Sequence, residues 1–166
     1  MDVQFVDRGP IKLAGYVMKT SSRNGENLKA IPQFWGDYMN DGRMEKLYAE
    51  DFLKNKAEYG VCYPEDADGN FDYVIGMEIK DGAAVSPEYH ACEIPASSYA
   101  VFATPPANIE DFINAIQQTW RDIFGKWLPQ SGEKINEAGL SFELYDGDSM
   151  GDTPKVCKIW IPLINK

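Results

Sequence analysis

The stretch "NIEDFINAIQQTWRDIFGKWLP", residues 108–129, decides the fold because it is the clearest helix pattern in the chain. Its apolar side chains recur every three or four positions, which is the period of an α-helix. Asn108 is expected to cap this helix, the acidic residues after it suit the positive end of the helix dipole, and Pro129 is expected to stop it. The apolar positions are Ile109, Phe112, Ile113, Ile116, Trp120, Ile123, Phe124 and Trp127.

Strand patterns lie on both sides of this helix. After it, "LSFELY" at residues 140–145 and "KVCKIWIPLI" at residues 155–164 are rich in branched and aromatic side chains. The Gly- and Asp-rich residues 146–154 between them predict a turn. Before the helix, residues 89–103 predict a further strand region. The second half of the chain therefore reads strand, helix, strand, strand.

The first half of the chain shows the same order of elements. An apolar run predicts a strand, helical spacing then predicts a helix with Pro32 in its first turn and a second short helix, and alternating side chains predict a hairpin. These elements cover residues 10–20, 31–39, 44–48, 58–63 and 71–79.

The repeated order predicts an internal duplication within a single domain. Tyr63 and Tyr145 each close a strand before a polar turn and lie 82 positions apart (145 − 63). We place one repeat at about residues 1–84 and the other at about 85–166. Two such halves would each cover one face of a sheet with helices, and the seam or the opposite face would form a groove.

Alternation along the strand around Glu143 assigns its side chains to two faces. Phe142 and Leu144 share one face, while Glu143 and Tyr145 share the other. We expect the apolar pair to meet the helices, so that Glu143 looks into the uncovered side, where it is either solvated or lines a cleft. Trp160 also falls on the face away from the helices, where its ring could form a wall for a flat apolar ligand.

The charge balance excludes several kinds of partner. The chain has 26 acidic and 16 basic residues, a net charge of −10, and no cluster of Lys and Arg. Phosphate binding needs a basic face, so we expect no direct binding of nucleic acid. A negative electrostatic field favours cationic ligands, although an excess of acidic residues can also be explained by solubility alone. We find neither a signal-peptide pattern nor an apolar run of about 20 residues, so we expect no membrane contact and a cytoplasmic location.

Cysteine and histidine usage argues against a metal site. Cys62, Cys92 and Cys157 are an odd number, lack CxxC spacing and are expected to be buried free thiols. His90 is the single histidine. We therefore expect neither the four nitrogen and sulfur ligands of a structural zinc site nor a Ser/His/Asp catalytic triad. Gly-rich phosphate-binding motifs do not occur. We therefore expect neither a metal nor a cofactor.

Six motifs in order resemble the GyrI-like effector-binding domains. These domains are the ligand-binding modules of AraC-type and MerR-type multidrug regulators, and they also occur as free-standing, integron-associated proteins. The resemblance spans residues 3–165. The motifs are "IPQFWGDY", "YGVCYPEDADGNFDYVIGMEI", "IPASSYAVFATPP", "IQQTWRDIFGKWLPQSG", "LSFELYDGD" and "KIWIPL".

The resemblance implies an α+β fold of two β-α-β-β repeats, of the kind named SHS2. Antiparallel sheets would carry helices on one side, and a ligand cleft would lie between the repeats. The implied ligands are bulky, hydrophobic and often cationic. Glu143 matches the glutamate that family members place in this cleft. The aromatic candidates for ligand binding are Trp35, Tyr73, Trp120, Tyr145 and Trp160.

Two functions follow from this resemblance. Since both ends of the chain read as strands, no residues remain for a helix-turn-helix, and we expect a module that senses or sequesters its ligand, with a protein partner or a homodimer. The alternative is a small hydrolase of cyclopropane-bearing genotoxins, with Glu143 as general acid or base. Glu78, on the matching strand of the first repeat, is the best candidate for a second carboxylate.

Overall fold

The computed structural model describes residues 1–149, 151 and 154–165, so Met150, Asp152 and Thr153 of the predicted turn lie outside the described residues. The strands are β1 (Gln4–Arg8), β2 (Ile11–Ser21), β3 (Leu53–Cys62), β4 (Asn70–Ile79), β5 (His90–Ile94), β6 (Ser97–Ala103), β7 (Ser141–Tyr145) and β8 (Lys158–Leu163). The helices are α1 (Glu26–Asn40), α2 (Arg43–Tyr48), α3 (Phe112–Asp122) and α4 (Leu128–Ser131). A π-helical segment, Ile123–Trp127, joins α3 to α4.

The first unit of the chain comprises Ile11–Glu93. Its strands follow the order β3-β4-β2-β5, and β4 pairs antiparallel with both β3 and β2. Helices α1 and α2 pack on one face of this sheet. The buried side chains on that face and on the helices include Phe34, Tyr38, Leu47, Tyr73, Ile75 and Met77.

The second unit comprises Met1–Pro10 and Ile94–Lys166. Its strands follow the order β1-β6-β8-β7, and each neighbouring pair is antiparallel. Helix α3 covers one face of this sheet. The core between them includes Ala100, Phe102, Phe112, Ile116, Ile159 and Ile161.

The predicted α+β class is confirmed, since each unit is an antiparallel sheet with helices on one face. Residues 89–103 form two strands rather than one, β5 and β6. Strand β1, which the patterns did not single out, pairs with β6, so the first ten residues pack with the second half of the chain. The repeat boundaries near residue 84 stay a prediction. None of the described helices is long and apolar enough to cross a bilayer.

Helix α1 begins earlier than its apolar spacing predicted. It starts at Glu26, so Pro32 is its seventh residue and not part of the first turn. Because proline has no backbone N–H group, the helix lacks one hydrogen bond at that position. The polar residues at the start of the helix carry no apolar period, which is why the spacing did not detect them.

Helix α3 differs from its prediction at both ends. It starts at Phe112, and Asn108 instead accepts a hydrogen bond from the N–H of Asp111 at 3.0 Å in the preceding turn. Pro129 does not stop the helix, which continues to the end of α4 before Gly132 at a φ of 72°. The π-helical segment shifts the hydrogen-bonding frame, so Pro129 falls in the first turn of α4, where its missing N–H is tolerated.

Gly15 should be the least replaceable glycine of the first unit. It lies opposite Gly76 in the β2–β4 pair, and a Cβ atom at Gly15 would lie 1.9 Å from the backbone oxygen of Ile75. We expect Gly15→Ala to lower the free energy of unfolding by about 2 kcal/mol or more through overpacking. Gly36→Ala is the matched control, because a Cβ there meets nothing within 4 Å in α1 and should stabilise by up to about 1 kcal/mol. Urea unfolding measures both, and equal stabilities would contradict the prediction.

Candidate functional site

Glu143 lies in the middle of β7, and its side chain is turned toward helix α3. The residue is 6% exposed and lies opposite Ile159, which belongs to the core under α3. We predicted the reverse orientation, and that prediction is wrong. Alternation correctly separates Glu143 from Phe142, but Phe142 packs on the other face of the sheet, where its ring stacks on Trp160.

Two donors from different elements hold the carboxylate of Glu143. Trp120 on α3 donates its indole N–H to Oε1 at 2.8 Å. Tyr145, two residues farther along β7 and therefore on the same face, donates its hydroxyl to Oε2 at 2.7 Å. Each oxygen of the Glu143 side chain therefore accepts one hydrogen bond and keeps a second lone pair.

Aromatic rings adjoin both donors. Trp120 stacks on Phe124 with ring centroids 5.9 Å apart and planes 8° from parallel. Phe124 is 43% exposed, so this pair of rings extends from the buried carboxylate to the surface. Tyr145 meets the edge of Phe112 at 6.2 Å. Ring faces attract cations, and a carboxylate beside them gives a cation a fixed counter-charge.

The charge of Glu143 also affects the buried thiol of Cys157, which is not a reactive group. Burial raises the pKa of its thiol, and the negative charge of Glu143 raises it further, while Tyr145 acts in the opposite direction. A thiol in this state is a poor nucleophile and a poor metal ligand. Cys62 and Cys92 are also free thiols. In the part of the chain that the structure describes, no three His, Cys, Asp or Glu side chains are placed to hold a metal ion.

Trp160 and Glu143 lie on opposite faces of the same sheet, although we predicted them on one face. The Trp160 ring stacks on Phe142 at 5.3 Å and meets the edge of Tyr99 at 5.4 Å. The guanidinium group of Arg8 lies 5.4 Å from its centroid. The structure therefore does not bring Trp160 beside Glu143, and a role of Trp160 in ligand binding stays a prediction.

Trp35 and Tyr73 form a pair inside the first unit. The indole N–H of Trp35 donates to the hydroxyl of Tyr73 at 2.8 Å, and Trp35 also meets the ring of Tyr38 edge-on at 5.9 Å. Tyr73 is fully buried and Trp35 is half-buried. Their contact with a ligand stays a prediction. Among the predicted site residues, the structure joins Glu143, Tyr145 and Trp120 in one hydrogen-bonded group, and Trp35 with Tyr73 in another.

A second buried acid, Glu58 on β3, was missed by the sequence analysis. It is 8% exposed, and its Oε1 accepts a hydrogen bond from the hydroxyl of Tyr48 at 2.9 Å. Burial raises the pKa of the Glu58 carboxyl, while the hydroxyls of Tyr38 and Tyr48 act in the opposite direction.

Glu78, the acid that we predicted as the second carboxylate, is placed differently. It forms an ion pair with Lys54 at 3.3 Å and accepts a hydrogen bond from the hydroxyl of Tyr59 at 3.2 Å. Its neighbours on β4, Met77 and Ile79, contact the core under the helices. Glu78 thus lies on the face away from α1 and α2.

A signal for Glu58 was present in the spacing of the two repeats. Trp35 and Trp120 lie 85 positions apart (120 − 35), and Glu58 and Glu143 lie 85 positions apart as well (143 − 58). Alignment on the turns gave 82 and therefore hid this correspondence.

Comparison with known proteins gives a family match over nearly the whole chain. The profile of the family described as "Cass2: Integron-associated effector binding protein" matches residues 4–163. The transcriptional regulator BrlR of Pseudomonas aeruginosa is 30% identical over 113 residues, which are 65% of this chain. The chain spans only 38% of the length of that regulator.

Two solved structures share the fold. The structure of SAV2435 bound to tetraphenylphosphonium matches with a TM-score of 0.78 and 21% identity, over 99% of this chain and 95% of that one. An integron cassette protein from the mobile metagenome of Vibrio cholerae matches with a TM-score of 0.57 and 18% identity, over 98% and 95%. With the fold and the family profile in agreement, the chain belongs to the integron-associated, GyrI-like effector-binding proteins.

Proposed function

We propose that the second unit binds bulky hydrophobic cations, with Glu143 as their counter-ion. The observation that carries this proposal is a buried carboxylate whose two oxygens are held by Trp120 and Tyr145 among aromatic rings. The net charge of −10 draws cations toward the protein. The fold of SAV2435, which was solved with the hydrophobic cation tetraphenylphosphonium, supports the same ligand class.

In this proposal Glu143 supplies charge selectivity and the rings supply most of the affinity. A cation over a ring face gains roughly 0.5–2 kcal/mol. The ion pair contributes less than its Coulomb energy, because both charges lose water on binding. Ligands with a diffuse charge and a large apolar surface lose little hydration, so they fit this arrangement better than a small, strongly hydrated cation does.

The biological role that we propose is sensing or sequestration of such compounds in the cytoplasm, in transcription regulation or drug resistance. BrlR is a transcriptional regulator that contains a related segment. A protein partner or a second copy of this chain would receive the signal of ligand binding. We propose that the protein does not bind nucleic acid directly, since acidic residues outnumber basic ones by 26 to 16.

Glu143→Gln should weaken the binding of tetraphenylphosphonium at least about tenfold, because the amide keeps the shape of the side chain and removes its charge. Isothermal titration calorimetry at constant ionic strength measures this loss. Tetraphenylborate is the matched control ligand, since it has the same four-ring shape and the opposite charge. It should bind the variant at least as tightly as the wild type. Equal affinity of both proteins for tetraphenylphosphonium would exclude Glu143 as the counter-ion.

Hydrolysis of cyclopropane-bearing electrophiles is the alternative that the same residues support. A glutamate within 2.7 Å of a tyrosine hydroxyl can move a proton to or from a bound compound. Proton transfer would change the charge of Glu143, whereas binding of a cation leaves that charge unchanged.

Prolonged incubation with a cyclopropane-bearing aromatic electrophile, followed by mass spectrometry, separates the two functions. The binding proposal predicts that the wild type consumes the compound no faster than buffer alone does. Consumption by the wild type that disappears in Glu143→Gln would establish the hydrolase instead.

A further inference from the structure

Strand β1 lies at an open edge of the second unit. Among the described strands it pairs with β6 along one edge and with no strand along the other. The backbone N–H and C=O groups on its outer edge can therefore pair with a further strand. Gly9 and Pro10 follow β1. Because proline has no N–H group, pairing along this edge is confined to the residues before Pro10.

The outer side chains of β1 are not those of a protected edge. Phe5 is 62% exposed and lies opposite Ala100, on the face of the sheet that α3 covers. The terminal strand of the first unit, β5, exposes only Ala91 and the charged Glu93. Charged side chains discourage pairing at an edge, whereas an exposed aromatic side chain favours it. The side chains of β1 therefore indicate a partner strand.

A second copy of β1 is the partner that fits, because the sequence "DVQFVDR", residues 2–8, is complementary to itself. A two-fold axis through Phe5, perpendicular to the sheet, places two such segments antiparallel. Phe5 then lies opposite Phe5 of the second copy, and Asp2 of each copy lies opposite Arg8 of the other. Aromatic pairs and pairs of opposite charge on neighbouring strands both stabilise a sheet.

Other symmetric registers give poorer pairs. The axis must pass through a residue, because side chains opposite each other in antiparallel strands point to the same face. An axis at Val6 would place Phe5 opposite Asp7, and an axis at Asp7 would oppose two acids. An axis at Gln4 would place Asp2 opposite Val6. Among these registers, the one centred on Phe5 brings opposite charges together.

The two faces of the sheet agree with this register. Arg8 lies on the face away from α3, where its guanidinium group is 5.4 Å from the centroid of Trp160. When pairing extends the strand to Asp2, alternation puts the Asp2 carboxylate on that same face. Phe5 lies on the other face, two residues from Val3, which packs against the core under α3. The paired Phe5 rings would therefore extend this core across the axis.

We propose that β1 pairs with β1 of a second copy of this chain about a two-fold axis at Phe5. The dimer joins four strands of each second unit into one sheet, with both α3 helices on the same face. Its contact is a single short strand, so the dimer is weak and its population depends on protein concentration. No residue of this contact belongs to the Glu143 site, and the dimer does not depend on the proposed ligand.

Sedimentation velocity of the full chain over a series of protein concentrations measures the dimer. Phe5→Lys should weaken dimerisation at least about tenfold, because two ammonium groups would meet at the axis in place of two rings. Val17→Lys is the matched control, since Val17 is 41% exposed on β2, which lies between β4 and β5. It should dimerise as the wild type does. A monomeric wild type, or equal dimerisation of wild type and Phe5→Lys, would overturn the proposal.

Asp2→Arg tests the register, because it places an arginine opposite Arg8 in both pairs. Dimerisation should weaken by several-fold, and the loss should shrink as ionic strength rises. The substitution also changes the net charge from −10 to −8 (−10 + 2). General repulsion between the acidic chains would fall with this change, so unchanged or stronger association of the variant would contradict the register.

Disulfide cross-linking tests the position of the axis. Directly opposite residues of antiparallel strands have Cα atoms about 4.5–5.5 Å apart, which a disulfide can span. Under mild oxidation, Phe5→Cys should therefore form a covalent dimer at least about tenfold faster than Val17→Cys does. Equal rates for the two variants would exclude an axis at Phe5.

Tetraphenylphosphonium separates a failure of this proposal from a failure of the Glu143 proposal. Its binding to Phe5→Lys should equal its binding to the wild type, because Phe5 lies on β1 and Glu143 on β7, with β6 and β8 between the two strands. Loss of this binding in Phe5→Lys would contradict the separation of the two surfaces. Circular dichroism verifies that each variant is folded.

Discussion

A carboxylate buried on a strand is the constraint on which the second unit depends. An ionised group under a helix would cost more than the whole margin of stability of a small domain if it were left without partners. Glu143 avoids this cost because the indole of Trp120 and the hydroxyl of Tyr145 each satisfy one oxygen. One donor comes from the helix and one from the strand, so α3 must cross the sheet at a fixed height and rotation. The core contacts of Phe112 and Ile116 hold it there.

The first unit meets the same constraint with different donors. Trp35 occupies the position equivalent to Trp120, but its N–H is taken by the hydroxyl of Tyr73. Glu58 lacks the indole and meets tyrosine hydroxyls instead: burial raises the pKa of its carboxyl, while hydrogen bonds from Tyr38 and Tyr48 act in the opposite direction. One exchanged donor thus separates a carboxylate held by an indole and a tyrosine from one held by two tyrosines.

The sequence predicted the class of the fold, most of its elements and the central acid, because periodicity and family motifs report these directly. It assigned Glu143 to the wrong side of the sheet, since alternation tells which side chains share a face but not which face a helix covers. We expected Phe142 to meet the helices and Trp160 to face a ligand. In the structure the two rings stack on each other, on the face of the sheet away from α3. Glu58 escaped notice because alignment of the repeats on their turns gave 82 positions instead of 85, and because a hydrogen bond such as that from Tyr48 leaves no periodic pattern.

The hydrogen bonds of Glu143 also bear on what it can do chemically. A general acid must carry a proton, and a general base must turn a free lone pair toward its substrate. Here Trp120 and Tyr145 each donate to one oxygen, which leaves a second lone pair on each oxygen and fixes the orientation of the carboxylate. The hydrophobic cation of our proposal would interact with the charge of this carboxylate and with the adjoining ring faces. A carboxylate that is buried and held in one orientation is what the proposed role as a counter-ion requires.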